Sequence, residues 1–196
     1  LLPKVGRETV VVSFRPGSQP FRALADALLP IWQPNLPGNE RLEEAGKLAT
    51  SLQAGKTQLL EVANDILQRQ SMWKRLLLLA DQFEELYTLC RQKEVQQAFL
   101  RGLVTAVQAQ AGQHNPTFTL VLTMRADFMG QATEERSLAD TLQDATCILG
   151  PMTREELAAA VEKPALAASV QFEPGLVARI LDDVGDEPGN LPLLEF

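Results

Sequence analysis

Leu76-Leu77-Leu78-Leu79-Ala80-Asp81-Gln82-Phe83-Glu84-Glu85 is the stretch that decides the fold. The residues before Asp81 are apolar without alternation. A run of that length reads as a short strand buried on both faces, the habit of a parallel sheet. The acid that follows then lies at the carboxyl edge of the sheet, where open parallel sheets hold ligands.

The flanking sequence repeats this pattern. Upstream, Thr9–Phe14 (TVVVSF) is β-branched and closes on Arg15-Pro16-Gly17, a strand and a turn. Phe21, Leu24, Ala25, Leu28 and Leu29 recur at helical spacing up to Pro30, which is expected to end that helix. Glu40 to Leu52 and Gln58 to Gln70 read as further helices. Downstream, Glu94 to Gln110 is helical, Phe118–Thr123 is a second buried strand, Leu138 to Gln143 is a short helix, and Ala145–Leu149 (ATCIL) reads as a last strand. Strand and helix alternating in this way predict an α/β fold with a parallel sheet and flanking helices over 1–150. After Pro151 the strands stop. Thr153-Arg154-Glu155-Glu156 is a capping box opening a helix that Pro164 is expected to end. Pro174 to Val184 is another, with Leu176, Val177, Ile180, Leu181 and Val184 inward and Gly185 closing it. Residues 151–196 therefore form a separate helical unit.

Composition sets limits. The chain has 196 residues, 45% hydrophobic and 22% charged, enough apolar material for a core. Its net charge of -7 argues against a domain that grips nucleic-acid backbone. No apolar run approaches the ~20 residues that span a bilayer. One histidine, His114, makes a zinc site improbable, and Cys90 and Cys147 read as reduced core thiols of a cytoplasmic protein. The chain starts at Leu1 and stops within an apolar run at Phe196, so both ends read as cut.

Two strands end in charged clusters. One is Asp81 to Glu85; the other is Thr123-Met124-Arg125-Ala126-Asp127. An acid fixed by a buried strand can hold Mg²⁺ against a nucleotide, a second acid can orient water, and an arginine on the next strand can reach the terminal phosphate. The competing readings are a cap or solvated loop acid for Asp81, surface acids for Glu84 and Glu85, and a salt bridge to Asp127 or Glu84 for Arg125. A phosphate cradle is needed besides. Gly55-Lys56-Thr57 is a decoy: Thr50 stands where a P-loop needs glycine, and no strand precedes it. A metal-dependent phosphatase would need a further acid near Asp81, and Asp127 is the one strand-end candidate.

Four segments together resemble a known family. LLLLADQFEELYTLC (Leu76–Cys90), LVLTMRADFMG (Leu120–Gly130), LGPMTREELAAAVEKPA (Leu149–Ala165) and FEPGLVARILDDVGDEPGNLPLLEF (Phe172–Phe196) resemble, in order and spacing, the Walker B and later segments of the novel STAND NTPase 1 family. The resemblance implies a signal-transduction P-loop ATPase of the apoptotic-ATPase type, a switch between ATP and ADP that uses Mg²⁺ and self-associates. In many bacterial members a β-propeller of WD repeats follows. By position, Asp81 would be the Walker B magnesium acid, Glu84 or Glu85 the water-orienting acid, and Arg125 the γ-phosphate sensor. Gln82 stands where many relatives carry a second acid. Gly189-Asn190-Leu191-Pro192 resembles the Gly-x-Pro motif, with Gly189 and Pro192 beside the nucleotide. The resemblance further implies a sheet order of 5-1-4-3-2. The first, central strand and its P-loop would lie just upstream of Leu1, and residues 151–196 would start a helical lid. The alternative is a catalytically inactive NTPase-like scaffold that mediates protein contacts.

Overall fold

The structure is a computed structural model that describes residue 6 and residues 8–184. Contacts along the chain divide it into two compact units, one ending at Ala145 and the other beginning at Thr146.

The first unit is built on three strands, β1 (Thr9–Phe14), β2 (Arg75–Ala80) and β3 (Phe118–Leu122). They form one parallel sheet in the order β1-β2-β3. That is the order the resemblance implies for its second, third and fourth strands. Between β1 and β2 come α1 (Pro20–Trp32), α2 (Gly38–Gln53) and α3 (Leu59–Arg69). Between β2 and β3 come α4 (Glu85–Thr88) and α5 (Lys93–Gln108). After β3 come α6 (Met129–Ala132) and α7 (Arg136–Leu142).

The strands are not buried on both faces as their apolar runs suggest. Val10, Val12, Phe14, Leu76, Leu78, Ala80 and Phe118 point one way and are buried. Helices α1, α3 and α5 pack on that side and on one another. Phe99 of α5 meets Phe14 and Phe21 edge-on, at centroid distances of 6.2 and 5.1 Å. Val11, Leu77 and Leu79 on the other face are half-buried, and Thr119 and Val121 are exposed. An apolar residue on a strand reports that the strand can be buried; which face a helix covers is decided by the connections.

The reading of Ala145–Leu149 as a strand is corrected. The segment is irregular, and Ile148 and Leu149 are 86% and 88% exposed. A strand needs a ladder, and in the implied order this one pairs with the first strand, not with β1, β2 or β3. Cys147 is accordingly exposed rather than a core thiol, while Cys90 is buried as expected. Two helix ends also move. α1 runs through Pro30 to Trp32, because Asp26, whose carbonyl Pro30 deprives of a partner, is exposed and open to water. In the second unit, α8 (Arg154–Ala167) runs through Pro164 for the same reason, with Ala160 exposed.

One buried polar side chain stands out among the described residues. Gln110 donates from Nε2 to Thr117 Oγ1 (3.0 Å) and accepts from the Phe118 N–H (3.2 Å). Thr117 Oγ1 donates on to Asn64 Oδ1 (3.1 Å). This bridge joins α3, the segment after α5 and the first residue of β3. Gln110→Ala strands the buried Phe118 N–H, an expected loss of about 1–3 kcal/mol, read as a lower urea midpoint at unchanged slope.

In the second unit the capping box forms as read: Thr153 Oγ1 accepts from the Glu156 N–H (3.3 Å) and the Thr153 N–H donates to Glu156 Oε2 (2.8 Å). Arg154 pairs with Asp182 of α9 (Leu176–Val184), and Leu181 of that helix is buried. Gly185, Gly189 and Pro192 lie outside the described residues. Among the described residues no helix is long and apolar enough to cross a membrane.

Candidate functional site

The ladder pairs Phe14 with Ala80 and Ala80 with Leu122. One step further along each strand stand Arg15, Asp81 and Thr123. Backbone bonds carry the alignment past the strand ends, from Asp81 N–H to the Phe14 carbonyl (2.9 Å) and from Thr123 N–H to the Ala80 carbonyl (3.0 Å). Neighbouring parallel strands therefore present one polar residue each at the same level of the carboxyl edge.

The three side chains meet on the Asp81 carboxylate. Thr123 Oγ1 donates to Oδ1 (2.7 Å), and Arg15 Nε donates to Oδ2 (3.3 Å). The hydroxyl first, and then the guanidinium, hold the Asp81 carboxyl below the usual aspartate range against the opposing effect of desolvation. Asp81 is thus ionised at neutral pH, and loses its charge only as pH falls through that lowered value. Thr123 also fixes the turn behind it: its hydroxyl accepts from the Gln82 N–H (3.1 Å) and its carbonyl from the Phe83 N–H (2.8 Å). Gln82 is held at φ 51°, a left-handed conformation that costs a side-chain-bearing residue about 1–2 kcal/mol. Phe83, fully buried, anchors the turn from below.

The two glutamates after the turn have different surroundings. Glu85 Oε2 accepts from the Gly17 N–H (3.2 Å), which ties the start of α4 to the turn after β1. That turn needs glycine, since Gly17 has φ 57°. Glu84 keeps its Oε2 buried with no hydrogen-bond partner. Tyr87, one turn on, is edge-on to Phe83, and burial and then the Glu134 charge push its hydroxyl up to about 12. Arg125 stands three residues past β3 and grips Asp127 with both sides of its fork, Nε to Oδ1 (3.1 Å) and Nη2 to Oδ2 (2.8 Å). This pair raises the guanidinium further, and Glu84 adds to the effect more weakly. Asp81, Arg15 and Thr123 are thus in contact, Glu84 is near Arg125, and Arg125 is paired with Asp127.

Magnesium commonly takes one or two protein carboxylates and completes its shell with water and phosphate oxygens. Asp81 fits that role: it is ionised, 41% exposed, and has one oxygen fixed by a hydroxyl. Among the described residues no three His, Cys, Asp or Glu side chains converge as a metal cage. The donor set suits an ion that arrives with its own oxygen ligands.

Gly55-Lys56-Thr57 lies where the sequence reading left it, outside the site. Its N–H groups close the end of α2, Gly55 to the Leu52 carbonyl (3.1 Å) and Lys56 to the Ser51 carbonyl (2.9 Å). A helix C-terminus carries partial negative charge and repels phosphate.

Arg15 and Thr123 are the site residues that sequence reading did not assign. The available signal was positional for Arg15, the first residue after its apolar strand as Asp81 is; Thr123 reads from sequence as the last residue of its strand, which in the structure ends at Leu122. No curated protein and no solved structure matches the chain. One family model does, that of Novel STAND NTPase 1, over residues 1–196. With a parallel α/β sheet carrying an acid at its carboxyl edge and a match that runs the length of the sequence, the chain belongs to the Novel STAND NTPase 1 family.

Proposed function

We propose that this chain is part of the nucleotide-switch domain of a signalling protein and supplies, at the carboxyl edge of its sheet, the Mg²⁺-binding side of an ATP site. The observation that carries the reading is the Asp81 carboxylate, ionised and oriented by Thr123 at the end of a buried strand. A bound Mg²⁺ would supply positive charge to offset that of the phosphates. Asp81 would be its protein ligand. Of the two candidate water-orienting acids, Glu84 is favoured, because Glu85 Oε2 is committed to Gly17 while Glu84 Oε2 has no partner. Arg125 would read the γ-phosphate after exchanging Asp127 for it; a guanidinium fork fits either anion. Gly189 and Pro192, by the family resemblance, would be nucleotide-binding residues of the helical unit. Self-association, a β-propeller partner and a cytoplasmic setting belong to the same proposal.

The test is nucleotide binding by the full-length protein, with a fluorescent analogue in Mg²⁺ displaced by ATP or ADP. Arg125→Ala is expected to reduce the preference for ATP over ADP by about tenfold, the worth of one charge-assisted phosphate contact. Unchanged relative affinities would remove Arg125 from the sensor role. A folded protein that binds no nucleotide would favour the scaffold reading instead.

A further inference from the structure

Asp81 carries two oxygens with unequal commitments. Oδ1 takes the Thr123 hydroxyl at 2.7 Å, and Oδ2 takes Arg15 Nε at 3.3 Å. The second distance is long for a charge-assisted bond, which usually lies at ~2.7–2.9 Å. Arg15 is 58% exposed, and among the described residues its side chain makes no other hydrogen bond or ion pair. The backbone behind it is held, since Phe14 is in the ladder and Gly17 is bound by Glu85. The guanidinium can therefore leave Oδ2 by side-chain rotation alone, while the carboxylate stays oriented by Thr123.

We propose that Arg15 is a binding-site residue of the Asp81 centre, its resident counter-ion. The guanidinium occupies the carboxylate oxygen that a divalent cation would take, and it yields that oxygen when the cation arrives. The proposal rests on the reading of Asp81 as the cation ligand. Its chemistry is simple exchange of one positive partner for another, and no covalent bond changes. An exposed ion pair of this kind is worth ~0.2–1 kcal/mol, so the competition is modest and measurable.

The probe is Mn²⁺ alone, titrated into the full-length protein and followed by the loss of the free-ion electron paramagnetic resonance signal. Arg15→Gln is expected to tighten Mn²⁺ binding about 1.4- to fivefold at low ionic strength, the exchange cost expressed as an affinity ratio. Arg15→Lys keeps the charge and is expected to stay near wild type. Asp81→Asn is expected to lose the site in either background. An Arg15→Gln protein with the wild-type melting temperature but equal or weaker Mn²⁺ affinity overturns the counter-ion role, while a loss in Asp81→Asn leaves the reading of Asp81 standing. Wild-type Mn²⁺ binding by Asp81→Asn overturns both.

Discussion

Phe99→Ala is expected to lower the stability of the α/β unit by about 3–5 kcal/mol. Phe99 is 1% exposed and joins α5 to β1 through Phe14 and to α1 through Phe21. Its loss removes a large apolar surface, two edge-on ring contacts and the filler of the space between three elements. The covered face of the sheet has one layer of helices to hold it, so neighbours can collapse into the gap only by shifting the helix that seals it. At ~2–4 °C per kcal/mol for a chain of this size, the melting temperature should fall by about 10 °C. Far-ultraviolet circular dichroism during heating checks this, with Phe99→Leu expected to cost less than half as much. Equal melting for Phe99→Ala and wild type would mean that α5 does not seal the core.

Asp81→Asn is the second large effect, and it acts on function instead of stability. The amide is nearly the shape of the carboxylate and still accepts from Thr123, but carries no charge. If Asp81 holds the cation, Mg²⁺-dependent ATP hydrolysis by the full-length protein should fall about 100-fold or more. Folding should barely change, because the exposed pair with Arg15 is worth at most ~1 kcal/mol. Steady-state phosphate release and a thermal melt, measured on the same preparation, separate the two. Hydrolysis within a few-fold of wild type would exclude Asp81 as the metal acid.

Much of the fold was legible because it depends on local pattern. Each of β1, β2 and β3 is announced by its own apolar run, and α1, α3 and α5 by their own spacing, whereas the short α4 and α6 carry no such signal. What failed depended on partners. Ala145–Leu149 is as apolar as a strand but has no ladder beside it, and the exposed Thr119 and Val121 follow from helices gathering on one face. Neither can be read from the segment itself. Prolines 30 and 164 misled because a proline disfavours a helix without always ending it, and here both helices run on past it.

The site divides in the same way. Asp81 was readable, since an acid directly after a buried strand is a local signal. Arg15 and Thr123 required the register, which is a relation between strands. The two glutamates could not be ranked from sequence, because their difference lies in Gly17, whose N–H one of them accepts. The sequence around Arg125 reads as a ligand-facing arginine or as a salt bridge, and in the structure it grips Asp127.

The row of Arg15, Asp81 and Thr123 has a consequence for how the protein matures. Its members are 66 and 42 residues apart in the chain. No hairpin or local turn can bring them together, so the loop-closure entropy of one crossover must be met before any part of the row exists, and of both before it is complete. During synthesis the carboxylate emerges without its hydroxyl partner, and the row is completed only when the third strand docks. An emerging chain therefore carries no oriented Asp81 carboxylate until the sheet is assembled.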